Sequence, residues 1–513
     1  MPAASTPSAF TAAKWMTLST QLSFLTGFVS SVFITRGLPP QEYGVYAYLL
    51  WMVGLAVSLA TGALNITVIR FVAEAVGAGQ VRQARALHAW LRRLLWLGLA
   101  VLGLVLGATL LQPEVYPREV GSRIHLYLGF TLVCAALKSV YMFEVSASKG
   151  HAVFQTEALS TSAIGLASML LSGALFLTHQ GLDAYLLLFL AASLAHPLLA
   201  LWLMHRQDLQ PRAADATPLP ADLQARVRRA LGWNMAFALV GLLSTRSVDT
   251  YLLGQQSLTA CVGYYSIAST LSRSGLDLLT SGFSSMLLPF MSRAGAEGGR
   301  DQVQRIFAGS VRFYQFVGIG VAACASLVAE PLVTLLYGQA YRDVVPALRV
   351  MALVGGLLLP HAAYSAAFIA TDLLRARLGF IGLSSAISVA SAFAFVPWLG
   401  YEGALISVFV GNVSTYLIVV GIAHVALRIR FPLQHVLRQW AAACLPFWIV
   451  AVALPAGSPL WLAALACLAF GVMFLLASLH LGAWDADDLA MLGRHSPRLH
   501  KLLGLAQRGG LTP

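Results

Sequence analysis

Thr-Arg-Ser-Val-Asp-Thr-Tyr-Leu-Leu-Gly occupies 245–254, Val-Gly-Tyr-Tyr-Ser-Ile-Ala follows at 262–268, and Ser-Arg-Ser-Gly-Leu-Asp at 272–277. These stretches sit in two segments otherwise apolar enough to cross a bilayer. Arg246 and Asp249 are three residues apart, Arg273 and Asp277 four, so each pair shares one face of its helix. An ionisable group at the bilayer centre costs about 2.5–3.5 kcal/mol on insertion scales. Such groups therefore face a bundle interior or a watery cavity, and a transport route is expected along this face.

The rest of the chain has the same character. Of 513 residues 58% are apolar and only 11% charged, with mean hydropathy +0.75; this is an all-α polytopic membrane protein, not a soluble domain. The net charge of +12 is carried at the ends of apolar runs. It reads as topology information, with anionic membrane lipids as neighbours and no nucleic acid as partner. Five cysteines, Cys134, Cys261, Cys324, Cys444 and Cys467, are scattered without a CxxC or a His ladder, so neither a disulfide frame nor a metal site is expected. Met1 to Lys14 is short and polar and runs into the first apolar stretch without a cleavage signature, so that stretch is expected to stay as a membrane helix.

A spanning helix needs about 20 apolar residues. That rule predicts about 14 transmembrane helices, at 15–35, 44–66, 94–111, 124–147, 153–178, 182–204, 231–253, 260–288, 311–336, 346–370, 378–397, 402–427, 437–455 and 459–480. With Lys14 cytoplasmic, most basic residues, among them Arg82, Arg85, Arg92, Arg93, Lys149, Arg226, Arg228 and Arg229, fall on that side. Arg36, Arg118, Arg123, Arg342 and Arg349 fall on the other. The bias puts both termini in the cytoplasm.

The longest connection, 206–230, carries Pro and Asp and then Leu219-Pro-Ala-Asp-Leu-Gln-Ala-Arg-Val-Arg-Arg, which predicts a loop followed by a short basic amphipathic helix. On either side the chain repeats. Ser31–Gln83 parallels Thr250–Gln302 with Gly44 against Gly263; Glu114-Val-Tyr-Pro-Arg parallels Gln339-Ala-Tyr-Arg-Asp; Phe143–Gly150 parallels Phe368–Arg375. Two pseudo-symmetric six-helix bundles are expected, 15–205 and 231–427, joined by the 206–230 linker. Two additional C-terminal helices at 437–480 form an appendage, followed by a cytoplasmic tail, 481–513.

Arg36-Gly-Leu-Pro-Pro-Gln-Glu-Tyr-Gly-Val-Tyr-Ala with Arg70-Phe-Val-Ala-Glu, the 249–268 segment, and Leu335-Leu-Tyr-Gly-Gln-Ala-Tyr-Arg-Asp-Val-Val-Pro-Ala-Leu-Arg resemble the Wzx-type polysaccharide flippases. These belong to the MOP superfamily, which also holds the MATE exporters and the lipid II flippase MurJ. The resemblance covers about residues 15–430. It implies two lateral bundles that rock about a central cavity in the bacterial inner membrane. It implies as cargo a polyprenyl-diphosphate-linked oligosaccharide moved from the cytoplasmic to the periplasmic leaflet for surface or exported polysaccharide assembly, with polysaccharide polymerase machinery as a candidate partner. A drug or lipid exporter of the same fold is the near alternative. A membrane-embedded glycosyltransferase or ligase and a silent scaffold recruiting enzymes through 205–230 are the distant ones.

For such a cargo Arg is suited to the diphosphate, because its planar fork donates two parallel hydrogen bonds and stays charged. Arg246 and Arg273 are the first substrate-binding candidates, each weighed against simple pairing with its own Asp. Lys138, near the middle of its span, is a second anion contact. Asn65 is a candidate for sugar hydroxyls, although interhelical hydrogen bonds are the commoner use of Asn65, Asn234 and Asn412. Asp249 and Asp277 are candidates for ion coupling or charge pairing. Glu144 is expected to snorkel to the interface; Glu157, near the start of the fifth span, is in reach of Lys149 or Lys138 across helices, but no pairing is expected of it. Trp51, Trp233, Tyr251, Tyr264 and Tyr265 offer stacking faces but read more readily as packing or belt residues. His196, His361 and His424 are read as packing or lining, and Asp485, Asp487 and Asp488 as a solvated cluster. No Walker A and no HExxH sequence occurs, and no cofactor is expected; energy for directed transport would come from H⁺ or Na⁺.

Overall fold

The computed structural model describes residues 9–211, 219–244, 247–256, 258–370, 374–427, 430–455 and 457–485, with the side chains at 9–18, 113, 243–244, 247, 274, 276–286, 288–290, 292–301, 365–366, 368–370, 374–377 and 426–427 outside the description. Fifteen α-helices follow in order: α1 (Ala9–Gly37), α2 (Pro40–Gly77), α3 (Val81–Ala108), α4 (Arg118–Gly121), α5 (Ile124–Gly150), α6 (Gln155–Leu177), α7 (Leu182–Arg206), α8 (Ala221–Ser244), α9 (Ser247–Gln255), α10 (Thr259–Tyr337), α11 (Val344–Leu358), α12 (His361–Ala370), α13 (Leu374–Ile422), α14 (Leu433–Ala453) and α15 (Leu460–His480). No strand occurs among the described residues.

Ten of these helical stretches are long and apolar enough to cross a membrane, with α13 counted once. Its 49 residues are folded back by Gly400, whose φ of 56° and ψ of −122° lie where a side chain is disfavoured, so α13 is two crossings. Beyond it the close approach continues, with Gly403 against the Phe395 backbone and Gly411 against Ser388. Together with α1, the α8–α9 pair and the first half of the 79-residue α10, the expected fourteen crossings are all helical. The tenth is broken: Pro360 cannot donate to the helix ladder, and it separates α11 from α12.

The chain forms two compact units, Met1–Gly263 and Tyr264–Pro513. In the first, α1 packs on α6 through Gly165 against Thr26 and through the Phe33–Phe176 ring stack (6.0 Å). The core at one end unites Leu64, Val68 and Phe71 of α2, Leu87 and Leu91 of α3, Phe143 of α5 and Met204 of α7. It also takes Leu219, Leu223 and Val227. Spaced by four, these three make one apolar stripe. The expected basic amphipathic helix is the start of α8, with Leu223 and Val227 on the core and Arg226, Arg228 and Arg229 exposed.

The sequence-based division falls at the 206–230 connection, whereas the compact units divide at Gly263. The difference is the seventh span, whose α8 docks on α2 through Ala238 beside Gly62 and through Asn234 Nδ2, which donates to Thr67 Oγ1 at 3.0 Å. The internally aligned glycines meet: Gly44 lies against the Thr259 backbone, and a Cβ at Gly263 would reach Gly44 Cα at 3.3 Å.

In the second unit, Gly318 of α10 and Gly356 of α11 face each other with no room for a side chain on either. The expected appendage is part of this unit's core. Phe316 of α10 stacks on Phe474 of α15 at 4.5 Å, Gln439 of α14 donates to the Arg312 carbonyl, and Ile319, Leu327, Ala443, Val450 and Phe470 share one apolar cluster. The aligned loop segments are both single 3₁₀ turns, Pro113–Val115 and Gln339–Tyr341, each adjoining a buried tyrosine, Tyr116 or Tyr341 itself.

Candidate functional site

The polar residues fall into two groups that differ in where they lie along the helices and in whether their charges are paired. One is a chain of ion pairs at one end of the first unit. Glu144 is 1% exposed; its Oε1 lies 2.7 Å from Arg92 Nε and its Oε2 3.0 Å from His88 Nε2, a fully buried imidazole. Around this cluster Arg85 pairs with Asp208 (3.0 Å), Lys149 with Glu157 (2.7 Å) and Arg226 with Glu74 (2.8 Å). Glu144 does not snorkel, because Arg92 and His88 reach it from α3 and make burial cheaper than exposure. Glu157, for which no pairing is expected from the sequence, takes Lys149. His151, just past the end of α5, is pushed down from 6.5 to about 4, first by burial and then by the nearby His88 and Arg85. His88 and Arg92 are an i,i+4 pair just ahead of the third span, where basic residues read equally well as topology signals.

The other group lies deeper in the spans and has unmet capacity. Lys138 of α5 is half-buried, its Nζ 4.3 Å from the centre of the Phe189 ring of α7, and it makes no ion pair among the described residues. A cation over a ring face is stabilised by the ring quadrupole but keeps its hydrogen-bond donors. On α2, Trp51, Ser58 and Asn65 recur every seven residues, which puts them on one face over about 21 Å of helix. Trp51 Nε1 and Asn65 Oδ1 are buried with no hydrogen-bond partner among the described residues. At Gly54, on the same side, a Cβ would meet nothing within 4 Å. A buried, orphaned indole N–H and amide carbonyl on one helix face suit hydroxyl-rich cargo, since each loses about 1–3 kcal/mol if left dry and unpaired.

The remaining predicted residues are placed as follows. Asp249, in the first turn of α9, is buried at 8% exposure. Arg246 lies outside the described residues, so the Arg246–Asp249 pair is not placed. Arg273 is exposed on α10, while its neighbour Ser272 is buried and donates to the Met351 carbonyl at 2.9 Å. Arg273 is thus on the face of α10 turned from that hydrogen bond; the side chain of Asp277 lies outside the description.

Asn234 makes the interhelical bond expected of such residues, and Asn412 returns to its own helix at the Val408 carbonyl (2.7 Å). Tyr264 and Tyr265 are buried packing residues, Tyr264 with its ring 6.2 Å from those of both Tyr341 and Tyr401. Tyr251 takes a hydrogen bond from Gln255, and Trp233 is exposed. His196 holds the Ala192 carbonyl at 2.7 Å with its ring against Tyr141, His361 packs on Phe380, and His424 is exposed. Asp485 lies 3.6 Å from Arg312, while Asp487 and Asp488 lie outside the described residues.

A protein of this architecture, helical among the described residues and with ten helical stretches long and apolar enough to span, is a multi-pass membrane protein. The chain belongs to the polysaccharide biosynthesis protein family, whose model matches residues 33–346. A search among curated proteins finds no significant match. Among solved structures it is similar to the lipid II flippase MurJ in an inward closed conformation, with TM-score 0.66, 12% identity, 90% of this chain and 97% of that one covered. It is also similar to an inward-facing multidrug resistance MATE family transporter of the MOP superfamily (0.63, 15% identity, 81% and 98% covered). A third is the Vibrio cholerae MATE transporter VcmN (0.54, 19% identity, 82% and 97% covered). At these identities the likeness is one of fold, a helical fold shared with MurJ and MATE proteins.

Proposed function

We propose that this protein is a flippase that moves a polyprenyl-diphosphate-linked oligosaccharide from the cytoplasmic to the periplasmic leaflet of the bacterial inner membrane by alternating access. Membership of a polysaccharide biosynthesis family on a fold shared with a lipid flippase over nine-tenths of the chain carries this reading. The unsatisfied groups inside the spans agree with it. Lys138, Arg246 and Arg273 would hold the diphosphate by charge-assisted hydrogen bonds, and Asn65, with Trp51, would take sugar hydroxyls. Asp249, with Asp277 as second candidate, would take up and release H⁺ or bind Na⁺, coupling transport to a gradient.

Flipping of a fluorescent polyprenyl-diphosphate oligosaccharide in proteoliposomes tests the reading, beside Lys138→Met, Arg246→Ala and Asp249→Ala variants shown to be folded. Transport by the parent chain, reduced in these variants and sensitive to collapse of one ion gradient, is the expected result. No translocation, with glycosidic bonds formed once donor and acceptor are supplied, would replace the flippase by a membrane-embedded glycosyltransferase. The scaffold alternative needs a narrower test than deletion of 205–230, because that deletion removes Leu219, Leu223 and Val227 from the core. Replacing Arg228 and Arg229, which α8 exposes, leaves the core intact.

A further inference from the structure

A pocket of about 390 Å³ opens in the second unit between α10, α11, α14 and the turn that joins α14 to α15. Leu327, Phe447, Ala451 and Leu454 supply an apolar wall, and Ser326, Glu330, Arg349 and Ser458 the polar side. Arg349 is its unbalanced charge. Nε makes one long hydrogen bond to the Ser326 carbonyl at 3.3 Å, and among the described residues neither terminal nitrogen has an acceptor. The carboxylate in the pocket is already taken, since Glu330 Oε1 lies 2.6 Å from Arg342 Nη2. Arg342, Arg349 and Glu330 therefore leave one net positive charge beside an apolar wall.

The depth of this arrangement narrows the ligand. Arg349 lies about 7.5 Å along α11 from its first residue, and Phe447 about 9 Å below the last residue of α14. Arg349 and Phe447 thus lie at nearly the same depth inside their helix ends, so one ligand could meet the charge and the apolar wall together. Ser458 is presented by the turn at Gly457, whose φ of 75° keeps the loop tight over the pocket. A planar guanidinium with free paired donors matches a phosphate in two parallel hydrogen bonds. A chain lying along Phe447, Ala451 and Leu327 would match a lipid tail. Glu330 sets a limit on this, because the anion must approach from the Arg349 side.

We propose that this pocket binds the phosphate-bearing head of a membrane lipid, with the first carbons of its tail on the Phe447–Leu454 wall. A leaflet glycerophospholipid and a polyprenyl phosphate share that chemistry. The site stands apart from the flippase reading, which is tested by translocation, so either can fail without the other.

The test is native mass spectrometry of delipidated full-length protein titrated separately with phosphatidylglycerol, undecaprenyl phosphate and diacylglycerol, using the parent chain, Arg349→Gln and Arg349→Lys. The expected result is at least about tenfold tighter binding of one phosphate lipid than of diacylglycerol, lost in Arg349→Gln and partly kept in Arg349→Lys. The lipid that shows it identifies the source. Equal binding of both phosphate lipids by the parent and a folded Arg349→Gln would overturn the proposal. Should that variant not fold, photo-crosslinking of the parent with a diazirine-tailed form of the preferred lipid decides. Adducts on 447–458 or 326–331 support the site, and adducts confined to other peptides refute it.

Discussion

Glu144 and Lys138 stand six residues apart on α5 and have opposite environments. Glu144 is enclosed, with Arg92 on one oxygen and His88 on the other. Lys138 has a ring for company and donors to spare. A buried charge that is paired and hydrogen-bonded has little left to offer a ligand, whereas an unpaired one stays costly until something anionic arrives. The same helix therefore carries a structural clamp at one end and a candidate cargo contact near its middle.

Substitutions can break this contrast. The largest effect is expected for Glu144→Ala, which leaves Arg92 and His88 facing an empty site. Loss of about 3–5 kcal/mol of stability should appear as poor expression and a lowered unfolding temperature, and an unfolding midpoint equal to the parent's would mean the cluster is solvated and not a clamp. Lys138→Met keeps the stem and removes the charge. Transport should fall about tenfold or more while thermal unfolding is unchanged or improved, and a variant that flips cargo at the parental rate would remove Lys138 from the site. Asn65→Leu should show the same pattern more weakly, a few-fold loss of transport with stability kept, because among the described residues the orphaned carbonyl has no hydrogen bond that its removal could break.

His151 sharpens the comparison through pH. Its folded value, about 4, lies below the ordinary 6.5, so the unfolded chain takes up the proton first as pH falls. Its contribution is fully present above pH 6.5 and is lost on acidification from there to about 4. His151→Asn should flatten that part of the stability profile, measured by thermal unfolding across the range. The smallest effect concerns packing in the other unit: Cys467 Sγ approaches the Cys324 carbonyl at 3.5 Å. Mild oxidation should join these two thiols across α10 and α15 with little change in unfolding temperature, visible as a crosslinked peptide by mass spectrometry.

The helices were readable because each apolar run long enough to span a bilayer has few alternatives there. Gly44 and Gly263, matched in the internal alignment, lie in contact, a closeness that the alignment by itself does not imply. Other features were invisible. Leu219, Leu223 and Val227 have the spacing of any amphipathic surface helix, and only the neighbouring α2 and α3 make that stripe a core. Phe316, Phe470 and Phe474 are ordinary apolar residues until α15 lies against α10. Local spacing shows which residues share a face but not what the face meets.

Composition, span length and the 3.6-residue period by themselves determined that this chain is helical, crosses a membrane about fourteen times and holds charge where lipid would penalise it. These follow from one-dimensional constraints: backbone groups in hydrocarbon must bond within their own helix, and a helix needs about 20 residues to cross. Which charges are satisfied was decided only by tertiary structure. Arg92 and Glu144 are 52 positions apart, and the energy of either depends on whether the other comes within about 3 Å, a distance set by how α3 packs on α5.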